Sequence, residues 1–229
     1  MGPVNGRLEA VLSTALTLSA VAIAGSAVHR QFFETENAGG TPAPTRVKGW
    51  EGLLANGARI GPVAAPVQIV VFGDFECPHC GALHTVLEEI LGERPREVSL
   101  VFYHFPLSGI HPSAEGAARA AECAGEQDRL RPMMRELFAD HEAFSTRSWA
   151  SFARVAGVSD TVSFNRCMDD DMVGARIQAH IHLGRDFQVI AVPTVMINGW
   201  RLNSGHPPIY IKRYVEQFLA GQSPFSTDR

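Results

Sequence analysis

The apolar positions of this chain fall into three patterns, and each predicts a different element. From Pro66 to Phe72 they are β-branched and nearly continuous, the pattern of a strand buried on both faces. From Gly81 to Leu91 they recur at helical spacing, at Leu83, Val86, Leu87, Ile90 and Leu91, which predicts an amphipathic helix. A second strand follows over Val98–Phe105. Residues 113–186 read as helices: the Ala-rich Ala114–Ala124, then Leu130–His141, Ser148–Ala156 and a stretch from Ser163 onward. Val192–Leu202 reads as a hairpin turning at Asn198-Gly199, and a closing helix covers Ile209–Leu219. The order β-α-β, helices, β-β-α describes an α/β domain with an all-helical insertion of about 113–186 between its halves.

The third pattern is at the start. Ala10–Val28 runs for nineteen residues without a charge. As a helix it would cover about 28 Å, close to the hydrocarbon thickness of a bilayer. Its small-residue end, Ala24-Gly25-Ser26-Ala27, also suits signal cleavage. Residues 1–33 are therefore expected to be a signal or a transmembrane anchor, with retention as a single-pass anchor favoured by the length of the run. Either way the remainder is placed outside the cytoplasm. Residues 34–49 are rich in Gly, Pro and Thr and are expected to form a flexible linker. Residues 50–229 are expected to be the folded domain, opening with a small hairpin at Asn56-Gly57.

Composition adds little to this pattern but removes one class of function. Of the 229 residues, 45% are apolar and 19% charged, which is enough for a sizeable core. The net charge of −4 comes with no basic run that would track phosphates, so nucleic acid is not an expected partner.

The chemistry is carried by cysteines. Cys77-Pro78-His79-Cys80 stands directly between the buried strand and the amphipathic helix. Cys77 would sit at the helix N-terminus, where unpaired N–H groups and the macrodipole favour negative charge. A thiolate stabilised there is both a nucleophile at neutral pH and a good leaving group, and a pKa of about 5.5 lies within the range of such sites. Pro78 suits the first turn, where its missing N–H costs nothing. His79 would add a cation or a donor beside the sulfur. Cys80, one turn inward, would resolve a mixed disulfide. A zinc site would need a second close pair of ligands, and Cys123 and Cys167 each stand alone. A purely structural disulfide at this spacing would be tight. Redox chemistry is the favoured reading, with neither metal nor cofactor.

Phe72-Gly73-Asp74-Phe75-Glu76-Cys77-Pro78-His79-Cys80, followed far downstream by Val192-Pro193-Thr194, resembles the DsbA-like branch of the thioredoxin superfamily. His104-Phe105-Pro106-Leu107 ahead of an Ala-rich helix is similar too, and the likeness runs from about Gly61 to the C-terminus. The resemblance implies a thioredoxin-like fold and a cis Pro193 against the sulfurs. It also implies substrate binding through Val192, Pro193 and Pro78, with the Val192 backbone pairing with an extended substrate. The implied substrates are cysteine-containing exported proteins. The implied reoxidant is a quinone-linked membrane oxidase of the DsbB or vitamin-K-epoxide-reductase type. One departure stands out: the buried carboxylate that relatives often carry six residues before the first cysteine is Val71 here, and Asp74 and Glu76, at a strand end, need not reach Cys80.

Cys123 and Cys167, in the helical insertion, are expected to form a structural disulfide, with a second redox pair or free buried thiols as the other readings. His180 and His182, two apart on a helix, point to different faces and are expected to be surface or packing residues. His104 and His111 show no metal partners. Asp169-Asp170-Asp171 reads as a solvated face or cap. The resulting expectation is an extracytoplasmic oxidase of cysteine pairs. Its rivals are a reductase or isomerase of the same fold and a non-catalytic thioredoxin-fold binding module.

Overall fold

The computed structural model describes residues 43–203 and 206–225. The expected signal or anchor segment and residues 34–42 of the expected linker lie outside them. Among the described residues no helix is long and apolar enough to cross a membrane.

The centre of the fold is a parallel pair, β3 (Val67–Gly73) and β4 (Val98–His104), in register from Val67↔Val98 to Gly73↔His104. All fourteen residues are buried. This is why both strands read as apolar runs without alternation: elements cover both faces of the sheet. The crossover between them is α1 (Pro78–Glu93), which buries Cys80, Leu83, Leu87, Ile90 and Leu91. β5 (Thr194–Ile197) pairs antiparallel with β3, and β6 (Trp200–Leu202) returns beside β5. The turn between them uses Asn198 and Gly199, both at positive φ (45° and 80°), as a tight hairpin requires. The closing helix α7 (Ile209–Leu219) packs on α1 and β3.

Two expectations about the edges of the sheet are corrected. Asn56-Gly57 does not turn a hairpin. Trp50–Leu54 forms a 3₁₀ helix, and β2 (Ala58–Ile60) pairs with the distant β4, Ala58↔Phe102 to Ile60↔Leu100. A Cβ on Gly57 would come within 2.4 Å of the Val101 side chain, so the glycine serves close approach to β4 and not a turn. The flexible linker, expected to reach residue 49, ends earlier. β1 (Thr45–Arg46) pairs with β6, and Val47 N–H donates to Gly199 O at 2.9 Å. Its two side chains are exposed, with Arg46 donating to Asn198 O and lying over the Trp50 and Trp200 rings, so no apolar pattern marks it. The strand order among the described residues is β1-β6-β5-β3-β4-β2.

Between β4 and β5 the chain forms the helical insertion: α2 (Ala114–Gly125), α3 (Leu130–Ala139), α4 (Trp149–Val155), α5 (Thr161–Met168) and α6 (Asp171–Asp186). The alanines of α2 let neighbours approach closely, and α3, α4, α5 and α6 all pack against it. The stretch from Ser163 onward is two helices, not one. Asp170 breaks it by capping α6, its carboxylate accepting from Met172 N–H at 2.8 Å. Cys123 of α2 and Cys167 of α5 are bonded, with their Cα atoms 5.7 Å apart.

Candidate active site

The site forms where β3 and its neighbours end together. β3 stops at Gly73, where a side chain would run into the Phe102 ring, a Cβ lying 2.7 Å from it. Four residues later Cys77 caps α1 from an extended conformation (φ −84°, ψ 120°), with Pro78 in the first turn. Because β5 lies antiparallel to β3 with Thr194 opposite Phe72, the residues just before β5 arrive beside the start of α1. Those residues are Val192 and Pro193. The peptide bond between them is cis, and Val192 O is 4.0 Å from Cys77 Sγ.

The two cysteines are present as a dithiol in very different environments. The pKa of Cys77 falls to about 5. A hydrogen bond from the Cys80 side chain is the largest cause; burial opposes it, the backbone N–H groups of Cys80 and His79 add to it, and the charge of Asp74 works against it. Cys80 is pushed the other way, held as a thiol by its bond to Cys77 and by burial at 2% exposure. One sulfur is thus an anion at neutral pH and the other its proton-bearing donor. His79 contributes to that anion through its backbone; its ring is exposed and lines a groove of about 440 Å³. Leu83, Val192, Pro193, Pro207 and Ile211 share this mainly apolar groove.

A family model described as Thioredoxin matches residues 54–217. The chain belongs to the thioredoxin family. The fold is also that of DsbA-like solved structures in the thioredoxin superfamily. Oxidised BdbD from Bacillus subtilis superposes with a TM-score of 0.63 at 18% identity, covering 79% of this chain and 98% of that one. A periplasmic thioredoxin-like protein from Salmonella enterica serovar Typhimurium gives 0.61 at 20% identity, over 77% and 99%. Sequence relatives include a protein named Na(+)/H(+) antiporter NhaA 1 from Salinispora arenicola, 33% identical over 161 residues. That match covers 70% of this chain but only 24% of the antiporter. This chain thus spans about a quarter of that relative's length.

Within this thioredoxin fold Val71 is buried in β3 and carries no proton. Asp74, whose side chain need not reach Cys80, meets it through its backbone. It is 1% exposed, and its N–H donates to Cys80 Sγ at 3.5 Å. Its Oδ1 accepts from Glu76 N–H, and its Oδ2 accepts from Leu107 N–H and pairs with His111 Nδ1, all at 2.8 Å. Glu76 in turn accepts from Ser113 N–H at 2.8 Å, an anion at the N-terminus of α2. Sequence reasoning missed these ties because His111 and Ser113 are each 37 residues from their partners. The one local signal was two carboxylates in an otherwise apolar stretch beside the cysteines.

A second buried cluster gathers two of the histidines, His104 and His180. His104 Nε2 is 2.9 Å from Glu122 Oε1, and Arg176 reaches Glu122 Oε2 at 2.6 Å. His180 is buried beneath them, accepting from His104 N–H at Nδ1 (3.3 Å) and meeting Asn56 O through Nε2 (3.1 Å), whereas His182 is exposed. Burial alone would raise Glu122, but His104 and Arg176 outweigh it and hold it down at about 2. His180 is lowered to about 4, chiefly by burial. These three side chains come together as metal ligands do. Arg176 already offsets the carboxylate, and both His180 nitrogens and both Glu122 oxygens are engaged, so the group reads as an internal polar tie between β4, α2 and α6.

Proposed function

We propose that this protein oxidises cysteine pairs of exported proteins outside the cytoplasm, through the Cys77–Cys80 disulfide. The observation that carries the reading is the asymmetry of the two sulfurs: a Cys77 thiolate at a helix N-terminus, with a pKa of about 5, facing a buried Cys80 thiol. A substrate thiolate attacks Cys77 Sγ, and Cys80 leaves and takes up a proton. A second substrate thiolate then attacks the substrate sulfur of the mixed disulfide, and Cys77 leaves as thiolate. The substrate loses two electrons and two protons; the protein gains the electrons and one proton, and the other proton goes to water. A low leaving-group pKa speeds the second step and favours the reduced protein, which is the direction of an oxidase. The cis-Pro193 loop and the apolar groove beside His79 suit an extended, uncharged substrate segment, with the Val192 backbone and Pro78 at its edge.

Location outside the cytoplasm is supported by the Ala10–Val28 run and by the likeness to a periplasmic protein; tethering through that run rests on sequence alone. Reoxidation would fall to a quinone-linked membrane oxidase. The antiporter-named relatives favour a second reading of the partner. A stretch of the same kind is joined there to a much longer protein, so a membrane transporter with a cysteine pair is a candidate substrate.

Trapping tests the function. In cells, Cys80→Ala should accumulate mixed disulfides and Cys77→Ala none; sequencing the trapped partners separates exported proteins from a transporter. Equal trapping by both variants, or none by either, overturns the exchange reading. Finding the pair fully reduced in cells overturns the oxidising direction in favour of a reductase or isomerase.

A further inference from the structure

The exchange steps make no use of the buried carboxylate of Asp74. Three donors converge on it, from Glu76 N–H, Leu107 N–H and His111, and its own N–H touches Cys80 Sγ. Its charge opposes ionisation of both cysteines. The side chain of Asp74 is fully covered, whereas that of His111 is 18% exposed. The remaining titratable side chains nearby are spent elsewhere: Glu76 on Ser113 N–H, and His104 on Glu122.

We propose that Asp74 and His111 form a charge-setting pair for this couple: the Asp74 anion restrains the oxidising power of Cys77–Cys80, and protonation of His111 releases it. The inference rests on the exchange reading and adds regulation to it. When the disulfide accepts two electrons, Cys80 takes one proton and a new negative charge appears on Cys77. That charge forms beside Asp74 in a largely water-excluded site, where like charges repel more strongly than in water. Exchange with a thiol releases one proton, so falling pH by itself favours the disulfide; a cation at His111 offsets the carboxylate and opposes that trend. Asp74 and His111 are positioning residues: neither exchanges a bond in the reaction. The other possible role is bracing, since Asp74 also ties the segment 107–111 to the cysteine loop.

The test uses the full chain with Asp74→Asn, His111→Gln and the double variant. Two quantities are read from about pH 5 to pH 8: the Cys77 thiolate absorbance and the equilibrium constant with glutathione. Asp74→Asn should shift the constant toward the dithiol by about tenfold at neutral pH, equivalent to about 30 mV for two electrons, and steepen its dependence on pH toward the one proton that each exchange releases. His111→Gln should shift it toward the disulfide at the acid end, and the double variant should behave as Asp74→Asn. Constants and slopes within about twofold of the parent, with only a lower melting temperature, would mean bracing alone and overturn the proposal. If Asp74→Asn does not fold, His111→Gln decides the matter by the same slope. A parent protein that exchanges with no disulfide overturns the proposed function instead, and the Cys77 titration still reads the charge pair.

Discussion

At the scale of single residues, the reactivity of Cys77 is assembled from donors that differ in kind. The Cys80 side chain is first, and the backbone N–H groups of Cys80 and His79 follow. The motif pointed to Cys77 as the nucleophile, because a cysteine between a buried strand and a helix caps the helix. It added the His79 ring to the helix N-terminus as a cause, whereas in the structure His79 acts through its backbone. The two accounts separate experimentally. Cys80→Ala removes the leading donor, so Cys77 should titrate about one unit or more above its value of about 5. His79→Ala retains the backbone N–H and should move Cys77 by less. Thiolate absorbance against pH measures both, and a larger shift in His79→Ala would restore the ring to the leading role.

At the scale of elements, legibility followed how each element is held. β3 and β4 are buried throughout, and α1 and α7 each bury a face at helical spacing, Ile211 and Val215 in α7, so their patterns are plain in the chain. β1 and β2 are two and three residues long and join the sheet by backbone pairing with distant partners, which leaves no periodic trace. The cysteines of the insertion are intermediate: both positions are visible, but only the packing of α5 on α2 brings them together. Their bond closes a loop of 44 residues. In the chain-entropy model that contributes up to about 4 kcal/mol. Replacing Cys123 and Cys167 with Ala should lower stability by no more than that in denaturant unfolding, while the Cys77 pKa stays at its parent value. A folded double variant that has lost exchange activity would make the pair a redox relay.

For the whole molecule, the thiolate links stability to redox state. Cys77 is lowered on folding from an ordinary thiol value near 9 to about 5, so the unfolded reduced chain binds more protons between those values. This contribution is therefore lost as pH falls through about 5 and grows as pH rises toward 9. Cys80 is raised on folding; its contribution is fully present below the ordinary thiol value and does not oppose the trend in this window. The oxidised protein has neither thiol to titrate. The melting temperature of the reduced form should accordingly rise relative to the oxidised form from about pH 5 to pH 8. Calorimetry on both forms checks this, and a constant difference across the range would show that Cys77 is not depressed.

The sequence by itself determined the fold class and pointed to the cysteine sulfurs as the reacting atoms. Continuous apolar strands, helical periodicity and a cysteine pair at a strand-to-helix junction are local patterns, and local patterns survive in one dimension. Tertiary structure alone decided the electrostatic surroundings of those atoms. Asp74 meets His111, Glu76 meets Ser113, and His104 meets Glu122 and His180 across separations of 18 to 76 residues. Such pairs have no period and no composition to mark them. They exist because β3 and β4 run parallel and end together, bringing the cysteine loop and the entry to α2 to the same edge of the sheet.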